Sequence, residues 1–167
     1  MIFVTVGTHE QQFNRLVECV DNLKKDGSIQ EDIIIQTGFS TYEPKNCKYN
    51  KFFCRQEMER FVYEARIVIT HGGPSSFIAP LQIGKIPVVV PRRYVFNEHI
   101  NDHQMVFCKA VSERAHNIIV IDDIHELKDV IRRYDDIVAN MPKKIVTNNE
   151  KFCDGVEKLA CDLMGGR

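Results

Sequence analysis

Ile67-Val68-Ile69-Thr70-His71-Gly72-Gly73-Pro74-Ser75-Ser76-Phe77 is the stretch whose reading decides the fold. An apolar β-branched run stops at a His-Gly-Gly-Pro turn, and a small-residue segment follows. That is the pattern of a buried parallel strand handing over to a helix. Glycine lets the backbone approach a neighbour closely, and Pro74 presets φ where a helix begins. The free amides of such a helix start, with the positive end of its dipole, favour a phosphate or sugar oxygen.

Outward from this stretch the same alternation recurs. Strand-like runs cover residues 2–6, 32–36, 66–70, 87–90 and 117–121, with a weaker one at 48–54. Helical patterns fall between them, at 13–23, 56–65, 74–83, 102–113 and 124–134, and a last amphipathic segment spans 146–164. The strands show little polar alternation, as expected when both faces are buried. The expectation is an α/β fold, a Rossmann-like parallel sheet with helices on both faces, as a single domain over residues 1–167. Residues 38–50, rich in Ser, Thr, Pro and Asn, form the longest irregular stretch and are expected to be a mobile loop.

A net charge of −1 gives no general attraction for nucleic acid or an anionic membrane, and no nucleic-acid partner is expected. Among the basic pairs, Arg92-Arg93 stands out because it follows a strand end. The six cysteines form no Cys-x-x-Cys pair and no zinc spacing, so a reduced, cytoplasmic chain is the simplest reading. Cys19, Cys108 and Cys161 fall in helical patterns as small buried hydrophobes. The chain enters a strand at once, without a basic leader, and no apolar run approaches a membrane span.

In open parallel sheets ligands bind beyond the carboxyl ends of the strands. Three polar loops lie at such ends: residues 7–12, 71–76 and 91–104. Gly7-Thr8 reads either as a turn presenting amides and a hydroxyl to a diphosphate, or as a tight turn with Thr8 capping a helix. Ser75 and Ser76 either donate to a phosphate or cap the first turn. His71 either contacts a ligand or bonds local backbone. Asn97-Glu98-His99-Ile100-Asn101-Asp102-His103-Gln104 concentrates the side chains that pair with vicinal sugar hydroxyls, or forms a polar loop ending in a cap at Asn101 or Asp102. His99 and His103 stand at i, i+4, but a third ligand signal is missing, and no metal is expected. His9 and Glu10 are the base and acid candidates near the first loop. Both Gly-x-Gly-x-x-Gly and the Walker loop are absent.

Four motifs in order then resemble one family. They are Val4-Thr5-Val6-Gly7-Thr8, Ile69-Thr70-His71-Gly72-Gly73-Pro74-Ser75-Ser76, Val88-Val89-Val90-Pro91-Arg92-Arg93, and Glu98-His99-Ile100-Asn101-Asp102-His103-Gln104. Together they resemble the C-terminal-domain type of glycosyltransferase family 28 in its split form, which includes bacterial PssE-like and EpsF-like exopolysaccharide proteins. It also includes the small catalytic subunit of the eukaryotic dolichol-linked N-acetylglucosaminyltransferase. The resemblance implies the C-terminal half of a GT-B enzyme, with a UDP-sugar as substrate and no cofactor. Gly7, Thr8, Gly72, Gly73, Ser75 and Ser76 would surround the diphosphate, with His71 beside them. Asp102 and Gln104 would read the sugar hydroxyls, with His99 and Asn101 nearby. His9 or His71 would assist an inverting transfer of a hexose, galactose first among the expectations. A membrane-associated PssD-like subunit would supply the lipid-linked acceptor and the general base, and would recruit the chain to the inner face of the plasma membrane for capsule or exopolysaccharide synthesis.

One position departs from the pattern. Many relatives carry a ribose-binding glutamate where this chain has Ala79, followed by Pro80, and Gln82 is the available substitute. Ala79 favours a different role, that of a nucleotide-sugar-binding subunit that stimulates a catalytic partner. The same loops would also suit a small NAD- or flavin-binding Rossmann protein, or a structural assembly protein in which they serve only as caps.

Overall fold

A computed structural model describes residues 1–142. Its strands are β1 (Ile2–Thr5), β2 (Ile33–Gln36), β3 (Lys48–Asn50), β4 (Ile67–His71), β5 (Val88–Val90) and β6 (Ile119–Val120). They form one sheet in the order β3-β2-β1-β4-β5-β6, and every pair is parallel. This is the Rossmann-like arrangement that the alternating sequence predicts.

The strand period of two divides the core. Ile2 and Val4 of β1, with Ile33, Ile35, Ile67, Ile69, Val88 and Val90, point to one face. There they meet Leu16, Val17 and Val20 of α1 (Asn14–Lys25) and Leu127 and Ile131 of α5 (Leu127–Arg132). Phe3 and Val68 point to the other face and pack on Phe61, Val62 and Ala65, from or just beyond α2 (Arg55–Glu64). Farther along that face Val89 and Ile118 meet Phe77 of α3 (Pro74–Gln82) and Cys108 of α4 (His103–Ala115). Because both faces are covered, the strands need no polar side.

The chain winds outward in opposite directions from β1 and β4, which are neighbours with Thr5 opposite Thr70. A crevice therefore opens where the two chains leave the sheet. The loops carrying Gly7 and Gly72-Gly73 begin there, so the strand order itself brings two of the three polar loops together.

Some predicted boundaries shift. The edge strand β3 ends at Asn50, and Cys54 takes the N-cap position of α2, where Glu57 accepts from its amide. The predicted helix 124–134 is a 3-10 turn at Ile124–Glu126, then α5, then α6 (Tyr134–Asn140). The two helices part at Arg133, next to Tyr134, whose buried hydroxyl donates to the Ile86 carbonyl. Cys108 is buried as expected, whereas Cys19 is half-buried. The predicted segment 146–164, with Cys161, lies outside the described residues. Among the described residues no helix is long and apolar enough to cross a membrane.

The irregular segment 38–50, expected to be mobile, is pinned by two side chains of α1. The Asn14 carbonyl oxygen accepts from the amides of Thr41 and Tyr42. Buried Asp21 accepts from the amides of Lys45, Asn46 and Cys47, from the Asn46 side chain and from the Tyr42 hydroxyl. Burial pushes this carboxyl up, but the bonds from Lys45, Asn46 and Tyr42 together outweigh it and hold it below the usual aspartate range. A polar loop thus obtains order from one charged acceptor that composition alone does not reveal.

Asp21→Asn turns one acceptor oxygen into a donor facing other donors, and should cost about 2–3 kcal/mol. Urea unfolding should show that loss, and amide exchange should show reduced protection across residues 41–47. Because the Asp21 pKa is lowered in the fold, its contribution is complete above the unfolded aspartate value and is lost as pH falls through the folded one. The variant should therefore lose less stability than wild type on acidification.

Candidate functional site

The crevice holds a pocket of about 930 Å³. Its polar wall comes from the two loops: Thr5, Gly7, Thr8 and His9 after β1, with His71, Ser75 and Ser76 around the start of α3. Its opposite wall is a groove between helices. Met58, Arg60, Val62 and Tyr63 come from α2, and Ala79 and Gln82 from α3, with Ile83 just beyond it. Lys85 fixes the groove's width: its ammonium donates to the carbonyls of Val62, Tyr63 and Ala65 at the end of α2. The pocket thus has a polar end with amides and hydroxyls and a largely apolar end that also carries Glu59 and Arg60. That combination suits a molecule with a flat or apolar part and a charged, oxygen-rich part.

His71 organises the polar end. It is buried, and its ring is wedged between the two loops. A Cβ on Gly7 would lie 2.5 Å from His71 Cε1, and one on Gly73 would lie 2.5 Å from Nε2. Gly7 also has φ +76°, the left-handed region that side chains other than glycine rarely adopt. The two glycines are therefore required by a ring, whatever else they approach. Burial, reinforced by Arg92, His9 and His99, lowers His71 to about 4, so the imidazole is neutral at pH 7. The Ser76 hydroxyl lies 3.4 Å from its Nε2, and its buried Nδ1 has no hydrogen-bond partner among the described residues. His9 is lowered as well, by burial and then by Arg92 and His99. Its ring packs against His99 with centroids 5.0 Å apart.

Among the described residues, neither helix start uses Thr8, Ser75 or Ser76 as a cap. Six residues, Thr8 to Phe13, separate Gly7 from α1, whose N-cap position is Phe13, so Thr8 caps nothing. Gly73 is the N-cap of α3, and neither Ser75 nor Ser76 makes a capping bond. Ser75 is exposed, and both serines line the pocket.

The third loop plays a different structural part. The Gln104 carbonyl oxygen accepts from the amides of Gly72 and Arg92, both at 3.1 Å, and so ties the glycine turn to the end of β5. A Cβ on Gly72 would lie 2.9 Å from Gln104 Cβ, which shows how tightly that tie packs. Asp102 Oδ1 accepts from the Tyr94 amide, and Asn101 accepts from the His103 amide. His99, Asn101, Asp102 and Gln104 do not line the pocket; they flank it on the β5 side. The Gln104 amide nitrogen and Asp102 Oδ2 make no hydrogen bond among the described residues, and no three His, Cys, Asp or Glu side chains there cluster as metal ligands. Sequence reading missed the α2 wall, because nothing in residues 55–64 marks which helix will face the crevice.

Residues 1–159 match the glycosyltransferase family 28 C-terminal domain. The human UDP-N-acetylglucosamine transferase subunit ALG13 is 32% identical over 125 residues, covering 69% of this chain and 10% of that protein. The mouse subunit is 31% identical over 126 residues, covering 68% and 10%. The chain thus spans about a tenth of the length of these curated relatives. Among solved structures, the glycosyltransferase SnogD from Streptomyces nogalater aligns over 84% of this chain and 40% of its own, with a TM-score of 0.45 and 13% identity.

The wedge can be tested against a built-in control. Gly84 also has positive φ (+77°), but nothing lies within 4 Å of the place a methyl group would take there. Gly84→Ala should cost about 1 kcal/mol from backbone strain alone, and Gly7→Ala should cost about 1–3 kcal/mol more. Equal losses in urea unfolding would remove the ring from the explanation. The low His71 value also has a sign. The unfolded chain binds the proton that the fold refuses, so this group lowers stability as pH falls from 6.5 towards about 4. His71→Asn should flatten the urea midpoint across that window, and an NMR titration of wild type should show one imidazole remaining neutral throughout most of it.

Proposed function

This chain belongs to the glycosyltransferase family 28 C-terminal-domain family, and on that footing we propose that it is the donor-binding half of a two-component glycosyltransferase. The observation that carries the reading is the pocket at the β1–β4 crossover, where a glycine turn and the start of α3 meet a helical groove. A UDP-sugar suits that division. Its diphosphate would lie against Gly7, Thr8, Ser75 and Ser76, where amides and the helix dipole favour negative charge. Its nucleoside would occupy the groove between α2 and α3. Its sugar would extend towards the β5 side, where the Gln104 amide and Asp102 Oδ2 hold no intramolecular bond among the described residues.

The proposed reaction is a single displacement at the anomeric carbon. The acceptor oxygen forms the new C–O bond as the bond to the β-phosphate oxygen breaks. The acceptor proton passes to a base, and UDP leaves with the electron pair. Stabilising that leaving charge with preorganised amides lowers the barrier without a metal. The base and the lipid-linked acceptor would come from a membrane-associated PssD-like subunit, which would hold this chain at the inner face of the membrane. On this chain, His9 and His71 are the imidazoles at the pocket, and burial favours the neutral form of both. The relatives are named as subunits of a UDP-N-acetylglucosamine transferase. That name supports N-acetylglucosamine as a candidate donor sugar beside galactose, and the proposed setting is capsule or exopolysaccharide synthesis.

Ala79 on the pocket wall favours a second reading, a subunit that binds the nucleotide sugar while its partner performs the chemistry. Gln82, one turn along α3 and also on the wall, is the side chain placed to hold ribose hydroxyls in either case.

Thermal unfolding of the purified chain with UDP, UDP-galactose, UDP-N-acetylglucosamine, UDP-glucuronic acid and NAD tests the proposal. A saturating UDP-sugar should raise Tm by roughly 5–10 °C. Ser76→Ala should reduce that rise, and Gln82→Ala should reduce it for UDP-sugars and UDP alike. Stabilisation by NAD without any by UDP would overturn the reading. Full activity of the assembled complex after Asp102→Ala would favour the binding-only subunit.

A further inference from the structure

Arg92 is fully buried, yet among the described residues no carboxylate hydrogen-bonds its guanidinium. Its Nη2 donates to the Val6 carbonyl at 2.8 Å. Its Nη1 donates to the carbonyls of Gln11 at 2.9 Å, Gln12 at 3.0 Å and Glu98 at 3.0 Å. The guanidinium stacks on Phe13, 4.8 Å from the ring centroid. Three of the four carbonyls bracket the turn at residues 7–12, one just before it and two at its far end, so one side chain fixes both ends of the loop that carries Gly7, Thr8 and His9. The nearest acid, Glu98, is held elsewhere: it takes Arg15 in a two-pronged ion pair at 2.9 Å and the Arg93 amide at 2.9 Å. Four carbonyl dipoles hold the cation directly while Glu98 acts on it only through space, and its burial is costly. A neutral side chain would hold a structural turn at less cost. The charge has a use if an anion is to arrive above it.

We propose that Arg92 is a positioning residue of this site: it clamps the 7–12 turn in its ligand-receiving shape and sets a fixed positive charge beneath it, for a phosphate-bearing ligand. It touches no pocket space itself. The inference rests on the nucleotide-sugar reading of the pocket for the identity of that ligand. Two further observations agree with it. The cation acts on His71 and His9, the imidazoles at the polar end, and favours their neutral forms. Burial pulls Arg92 itself down to about 10, against the pull of Glu98, so it stays charged at neutral pH. Lysine could not replace it, because a single ammonium cannot reach carbonyls on both sides of the planar fork.

The test compares UDP with uridine on the full chain, so that the phosphates' share of affinity is read separately from the nucleoside's. For wild type UDP should bind more tightly than uridine. In Arg92→Met and Arg92→Lys that advantage should shrink by about tenfold while uridine affinity stays within about twofold. Parallel loss of both ligands, or an unchanged UDP advantage in a folded variant, would overturn the proposal. NMR relaxation of ligand-free wild type gives a measurement that needs no variant. The 7–12 backbone should already be as rigid as β1, and a turn that orders only when UDP is added would also overturn it. Failure of wild type to bind either ligand, with the turn rigid, would instead count against the nucleotide-sugar reading and leave the clamp standing.

Discussion

The buried guanidinium of Arg92 is the interaction on which the geometry of the site depends. It reaches from the end of β5 across to the end of β1 and to the residues just before α1, so two segments about 80 residues apart in sequence share one donor set. Around it lies a second tier. Arg15 of α1 grips Glu98 and the Pro91 carbonyl, and stacks on Phe96 at 4.8 Å. Gln104 joins the Arg92 amide to the glycine turn after β4. Most side chains of this layer are positioned by a partner from another loop, so side-chain bonds do here what a ladder does for a sheet. Loops without regular structure are usually the mobile part of a fold. Here the carboxyl edge of the sheet is cross-braced.

The glycines acquire their meaning from that bracing. Gly7 and Gly73 look like room left for a ligand, and the structure shows that the first occupant of that room is the His71 ring. The ring is neutral because it is buried and because a cation lies nearby. A neutral imidazole can fill the space between two amide-bearing loops without attracting a counter-ion. The α2–α3 groove supplies the other half, a wall that mixes Met58, Val62 and Ala79 with the charged Glu59 and Arg60, and Lys85 ties its neighbouring carbonyls together.

Much of this was legible from residue order. The β-branched runs, the glycine-proline turn and the helical spacings predict a parallel α/β sheet, and the four ordered motifs point to the family that the comparison found. Boundaries were less legible where local preference is weak. The break between α5 and α6 falls at Arg133, beside Tyr134, whose hydroxyl donates to the Ile86 carbonyl 48 residues away. The loop at 38–50 has a composition that signals mobility, and one carboxylate on α1 holds it in place. A composition reading cannot anticipate either, because both involve a single long-range acceptor.

The sequence by itself determined the fold class, the three polar loops and the residue types offered at the edge of the sheet, because periodicity and turn chemistry act over a few residues. Only the tertiary structure decided how those residues divide their work. Arg92 stands out in the sequence only as a basic residue after a strand end, and it proves to be buried with four backbone carbonyls as partners. Gln104 reads as a hydroxyl partner and already spends its carbonyl oxygen on two amides, and the α2 groove was not visible at all. The physical reason is that burial and hydrogen-bond satisfaction are properties of an environment assembled from the whole chain, and a side chain's charge or polarity acquires a role only once its neighbours are fixed.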